Sequence, residues 1–225
     1  MPSISGDLWS FSCTLQPEEA IIINLANLAL LRGDPSEAYD LAKHAEELTV
    51  KWQGAEYDVI AAKRLQGLAA LANGEVSKAE EQLSQALLRA RSAAYVSEEL
   101  RLLIALAFLR QQQGDHAMAR ELLNDVWEPA ERGPERLDHA SALSLLAQIE
   151  RDAGNKDAAI RAATEAYRKA WCDAPPFAYH WALEGARKHL VALGAPEPTL
   201  MPFDAAMFNP MPEVEIDPDD QFHER

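Results

Sequence analysis

The stretch Ala69-Ala70-Leu71-Ala72-Asn73-Gly74-Glu75-Val76-Ser77-Lys78-Ala79, residues 69–79, reads as the end of one helix, a tight turn and the start of a second. Glycine lacks a Cβ and sits cheaply in the left-handed conformation that many helix C-caps need. The polar residue after it stands where the next helix opens and its first backbone donors lack partners. The alanine five positions on falls on the inward face of that second helix, where a small side chain lets the pair approach closely. The same group recurs as Gly33-Asp34 with Ala38, Gly114-Asp115 with Ala119 and Gly154-Asn155 with Ala159, and Gly194 closes the series. The intervals are 41, 40, 40 and 40 residues. A fixed period of that size belongs to stacked supersecondary units, not to one globular core. Of the residues after glycine, Asp34, Asp115 and Asn155 are good N-caps and Glu75 is a poor one.

Working outward, first helices are expected near 18–32, 56–73, 96–113, 135–153 and 176–193, and second helices near 35–53, 76–93, 116–131 and 156–171. Pro17-Glu18-Glu19 is a good helix start, with proline in the first turn and acids at the positive end of the dipole. Long helices joined by short turns make antiparallel neighbours. The fold class is therefore all-α, a right-handed α-solenoid of about four and a half helix pairs. Eleven residues before each turn glycine stand Ile22, Lys63, Leu103, Leu143 and Leu183, and seven before it stand Ala26, Gly67, Ala107, Ala147 and Arg187. Large against small is what close helix packing requires. Lys63 points to a register shift in the second repeat, and Arg187 to a last helix with one solvent face.

The organisation expected is an arm at 1–16, a repeat domain at 17–194 and a tail at 195–225. Trp9 and Phe11 in the arm are candidates to fold back over the first helix pair. The tail holds Pro196, Pro198, Pro202, Pro210, Pro212 and Pro218, which exclude a continuous helix, and eight acids against Arg225. That segment supplies nearly half of the formal net charge of −15. Its Leu200, Met201, Phe203, Met207, Phe208, Met211, Val214, Ile216 and Phe222 are too many apolar residues for a plain solubilising tail.

The charge argues against nucleic acid and anionic membranes, which need clustered Lys and Arg. Cys13 and Cys172 form no motif and read as reduced thiols of a cytoplasmic protein. Neither an export signal nor a membrane span is indicated. The histidines, His44, His116, His139, His180, His189 and His223, make no ligand pair at helical spacing, so neither a metal nor a cofactor is expected. No nucleophile elbow and no GxxxxGK[ST] loop occurs, and the chain reads as non-catalytic. The acid pair Glu98-Glu99 reads as the charged opening of a helix.

The residues Leu65-Gln66-Gly67, Ala70, Asn73-Gly74-Glu75, Ala79, Leu83 and Ala86, and again Leu143, Leu146-Ala147, Gly154-Asn155, Ala159, Ala163 and Ala166, resemble the tetratricopeptide repeat family over residues 18–194. The period exceeds the family's usual ~34 residues and is similar to long-helix arrays of bacterial signalling and regulatory proteins. The resemblance implies a concave surface lined by first helices that holds a peptide or protein segment. Its candidate residues are Asn27, Arg64, Leu68, Arg101, Ile104, Phe108, Ser144, Gln148, Trp181 and Lys188. Leu68, Ile104 and Phe108 make an apolar centre, and Arg64 and Arg101 beside it suit a partly acidic peptide. Asn27, Arg64 and Arg101 partly match the clamp by which some members hold a C-terminal carboxylate, but Ile23 and Ala105 stand where a base is expected. The function implied is an adaptor or regulatory subunit. The alternatives are a peptide-sensing regulatory domain and a self-assembling scaffold. The acidic tail is complementary to the groove arginines and is a candidate to occlude it, while 195–204 fits better as a cap on the last helix.

Overall fold

The computed structural model describes residues 18–172, 174–175, 177–204 and 206. Along them run α1 (Glu18–Arg32), α2 (Pro35–Lys51), α3 (Glu56–Ala72), α4 (Val76–Ser92), α5 (Val96–Gln112), α6 (His116–Arg132), α7 (Arg136–Asp152), α8 (Lys156–Trp171) and α9 (His180–Leu193). Each helix packs on its sequence neighbours, and the odd helices also touch in series, α1 on α3, α3 on α5, α5 on α7 and α7 on α9. Among the described residues no two even helices touch. The odd helices therefore form the inner layer of an all-α solenoid and the even helices the outer one, which leaves a concave face lined by odd helices.

The repeat turns are built as the spacing requires. Gly74 has φ 79°, its N–H reaches Leu71 O at 3.0 Å, and Glu75 N reaches Ala70 O at 2.8 Å, a Schellman closure. Gly33, Gly114 and Gly154 repeat it with φ near 80°. Asp34 and Asp115 cap the following helices by accepting from Glu37 N and Met118 N at 3.1 and 3.0 Å. Asn155 does not, because its side-chain amide donates instead to Glu150 Oε2 at 2.7 Å. Ala38, Ala79, Ala119 and Ala159 are fully buried at the crossings. Lys63 causes no shift of register: its stem is covered and its ammonium snorkels to Glu46 at 2.8 Å.

The turn from α4 to α5 uses the same closure with a residue that carries a Cβ. Ala94 has φ 55°, and Tyr95 N reaches Ala90 O at 3.0 Å. A left-handed L-residue costs about 1–2 kcal/mol, and glycine's extra unfolded-state freedom returns about 0.5–1 kcal/mol of that. Ala94→Gly is therefore expected to stabilise the chain by about 0.5–1 kcal/mol, read as a raised urea midpoint at unchanged slope.

The C-terminal end departs from the expected boundaries. Helix α9 starts at His180 and not at 176, since Cys172 and Ala174 take positive φ and Pro175 holds Ala174 outside the helical region. Residues 195–204 then cross the last helices. Glu197 accepts from Tyr167 Oη at 2.8 Å and Arg187 Nε at 2.7 Å, Trp171 Nε1 donates to Met201 O at 3.0 Å, and Phe203 meets Phe177 edge-on at 4.9 Å. Arg187, in the column of small residues, pairs with Glu184 as well. The arm with Trp9 and Phe11, and the tail beyond 206 with its expected occlusion of the groove, lie outside the described residues.

Candidate binding groove

Asn27 of α1, Arg64 and Leu68 of α3, Arg101, Ile104 and Phe108 of α5, and Ser144 and Gln148 of α7 line one groove of about 650 Å³ on the concave face. Eight of the ten candidate residues thus stand together. Trp181 lies in an adjoining depression of about 340 Å³ that shares Leu137, Ser141 and Ser144 with the groove, and it is 84% exposed. Lys188 is exposed outside the groove lining, and the next residue, His189, takes its place. The last first helix also differs from the others at position 187. In the other first helices that position is Ala or Gly packed inward, whereas Arg187 Nε donates to Glu197 on the tail side.

The groove floor is apolar at its centre, where Leu68, Ile104 and Phe108 are half-buried. Its charges are arranged differently from the expectation of two free arginines. Glu98 is not merely the opening of a helix: it is fully buried and bridges both cations. Arg64 Nε donates to its Oε2 and Arg101 Nη1 to its Oε1, each at 2.8 Å. Arg101 also donates to Tyr57 Oη at 3.0 Å and Asp138 Oδ1 at 3.3 Å. Burial alone would raise the Glu98 pKa, but the charges and hydrogen bonds of Arg64 and Arg101 hold it below the usual carboxylate range. For Asp138 burial wins over Arg101 and its pKa is raised. Burial, then Glu19 and Glu98, raises that of Asp58 in the depression at the α1 end. The arginines are largely neutralised from below and are not a free basic patch.

This acid ladder has a sequence signal that the turn offsets contain. Asp58, Glu98 and Asp138 each stand sixteen residues before their turn glycine. The column is visible once the first turn of each first helix is aligned, and an acid recurring in one column beside arginines is a candidate for pairing and not only for helix-dipole complementarity.

Two histidines next to these packed layers titrate low. Burial first, then Arg151, lowers the pKa of His189, and burial with Lys169 lowers that of His139, Glu131 and Glu165 opposing. A depressed histidine takes up its proton more readily when unfolded, so stability is full above the unfolded value near 6.5 and declines as pH falls below it. Urea midpoints are expected to drop between pH 7.5 and 5.5, and His189→Gln should flatten that dependence.

The arrangement defines the class first. A rigid stack of helix pairs with an inward groove is a recognition scaffold of the repeat type. Residues 98–170, from the first turn of α5 to the last turn of α8, match the family Tetratricopeptide repeat. Repeats of this family generally mediate protein–protein interactions, so the chain carries an interaction module. Among solved structures it is similar to BtubC (BKLC) from P. vanneervenii, with 14% identity over 85% of this chain and 87% of that one and a TM-score of 0.58. At that identity the likeness concerns the fold. No curated protein matches the sequence. Among the described residues no helix is long and apolar enough to cross a membrane.

Proposed function

We propose that this chain is a non-catalytic adaptor or regulatory subunit of the cytoplasm that binds an extended peptide or protein segment along the groove of α1, α3, α5 and α7. Residues 17–194 form the recognition unit, with the arm 1–16 and the tail 195–225 appended to it, and the partner is protein, neither nucleic acid nor membrane. The observation that carries this reading is the apolar ledge of Leu68, Ile104 and Phe108 framed by Asn27, Ser144 and Gln148 in one groove. The ledge offers burial to a large side chain of the peptide, and the amides on either side can pair with its backbone. Preformed helices lose little entropy on binding, so the ordering cost falls on the peptide.

The partner is partly acidic, though less so than two free arginines would favour. Arg64 uses only its Nε and Arg101 leaves Nη2 without a hydrogen bond among the described residues, so donors for about one carboxylate remain beside the ledge.

The test is a random-peptide display library selected on wild-type protein, followed by affinities for the enriched peptides. Large apolar residues near an acid should dominate the selection. Phe108→Ala is expected to weaken binding by about 2 kcal/mol, roughly thirtyfold, with Lys188→Ala neutral and helical circular dichroism kept in both. Equal affinity of wild type, Phe108→Ala and Ile104→Glu would remove the groove from the account.

A further inference from the structure

The first helix presents an apolar face that every interior repeat covers. Ile21, Leu25 and Leu28 lie one face apart by four and three residues along α1 and are 47%, 46% and 52% exposed. Aligned on the turn glycines, Ile21 corresponds to Leu102 and Ala142, both 0% exposed, and Leu28 to Leu109 and Ile149, also 0%. Leu25 corresponds to Leu106 at 5% and to the partly buried Leu146. The reason is the preceding second helix: α4 packs on Leu102, Leu106 and Leu109, and α6 on Ala142 and Ile149. No second helix precedes α1 among the described residues.

The second helices meet those positions with one spacing. α4 buries Ala79, Leu83, Ala86 and Ala90, and α6 buries Ala119, Leu123, Val126 and Ala130, intervals of four, three and four. Residues 1–17 repeat that spacing in Ile4, Leu8, Phe11 and Leu15 and carry a single charged side chain, Asp7. They join the helix at Glu18, three residues from the stripe. The stripe spans ~10 Å, and seventeen residues span ~25 Å even at the 1.5 Å rise of a helix, so length is sufficient. We propose that residues 1–17 dock along the outer face of α1, setting Ile4, Leu8, Phe11 and Leu15 against Ile21, Leu25 and Leu28 where a preceding second helix would lie. The segment is a docked element of the solenoid at that end, as 195–204 is at the other, and the physical drive is burial of apolar surface.

The experiment is amide hydrogen exchange read by mass spectrometry on the full chain, on full-length Leu8→Glu/Phe11→Glu and on full-length Leu25→Glu, with sedimentation at two concentrations. In a monomeric wild type, amides of 1–16 should exchange more slowly than an unstructured chain. The arm variant should speed exchange across residues 20–31 by about tenfold or more, Leu25→Glu should release the arm in the same way, and α5 to α8 should keep their protection in both. Arm amides exchanging at the unstructured rate in wild type would overturn the proposal, as would unchanged α1 protection in the arm variant. A wild-type dimer that Leu25→Glu dissociates and the arm variant does not would give the face to a second copy of the chain instead.

Discussion

Glu98→Ala is expected to lower the unfolding free energy by about 3 kcal/mol, the low end of the cost of leaving a buried cation without its partner. The carboxylate is fully buried and Arg64 is 15% exposed, so water restores little of what Glu98 supplies to Arg64, whereas Arg101 at 36% exposed is partly solvated. Asp138 stays beside Arg101 with one hydrogen bond at 3.3 Å, so the loss of Glu98 falls mainly on Arg64, whose one hydrogen bond among the described residues goes to Glu98. The second half of the expectation concerns coupling. Replacing the pair by apolar side chains, Glu98→Leu with Arg64→Met, removes the unpaired charge together with its partner, and the double variant should lose less than Glu98→Leu alone. Urea unfolding at unchanged slope measures both. A loss below about 1 kcal/mol for Glu98→Ala, the range of an exposed ion pair, would mean that the bridge is solvated and does not set the groove floor.

The architecture was legible in the sequence because its signals are local. A turn glycine, a cap and a small residue five positions later each act within one hairpin, and the five glycines take positive φ in register. The groove residues were legible for a related reason: a first helix repeats the same face every 40 residues, so a column of offsets names one surface, and Asn27, Arg64, Leu68, Ile104 and Phe108 fell together. What escaped was set by contacts between distant residues. Glu98 reaches Arg64 across 34 positions, and only the stacking of α3 on α5 turns a helix-opening acid into a buried bridge. Lys188 lies outside the groove lining in the last helix, where Arg187 pairs with Glu197, a tail residue that follows the repeats. Asn155 failed as a cap because Glu150 competed for its amide. In each case a long-range or side-chain partner outweighed a local preference.

Gly67→Leu is expected to cost about 3 kcal/mol, at the upper end of what overpacking a close helix crossing costs. Two effects oppose each other here. Glycine in a helix interior is worth about 1 kcal/mol less than alanine, so any side chain at 67 gains in local preference. Against that gain, a Cβ at this position would lie 2.6 Å from Leu83 Cγ and 2.7 Å from its Cδ2, with Ala79 O at 3.4 Å. Cγ is the branch point of a fully buried leucine and not a free end, so it moves only if α4 backs away from α3. Gly67→Ala should therefore come out near neutral to about 2 kcal/mol destabilising, and leucine clearly worse because no rotamer avoids α4. The compensating change separates sterics from any loss of glycine's flexibility. Leu83→Ala alone should cost about 2–5 kcal/mol as a cavity, while adding it to Gly67→Leu should cost far less than the sum, since one leucine then fills the space of the other. The displacement matters beyond stability, because α3 carries two groove-lining residues beside Gly67, Arg64 three positions before it and Leu68 directly after it. Peptides selected on wild type should bind Gly67→Leu more weakly and regain affinity in the double variant. Additive losses in stability would show that the glycine is required for its backbone and not for the approach of the two helices.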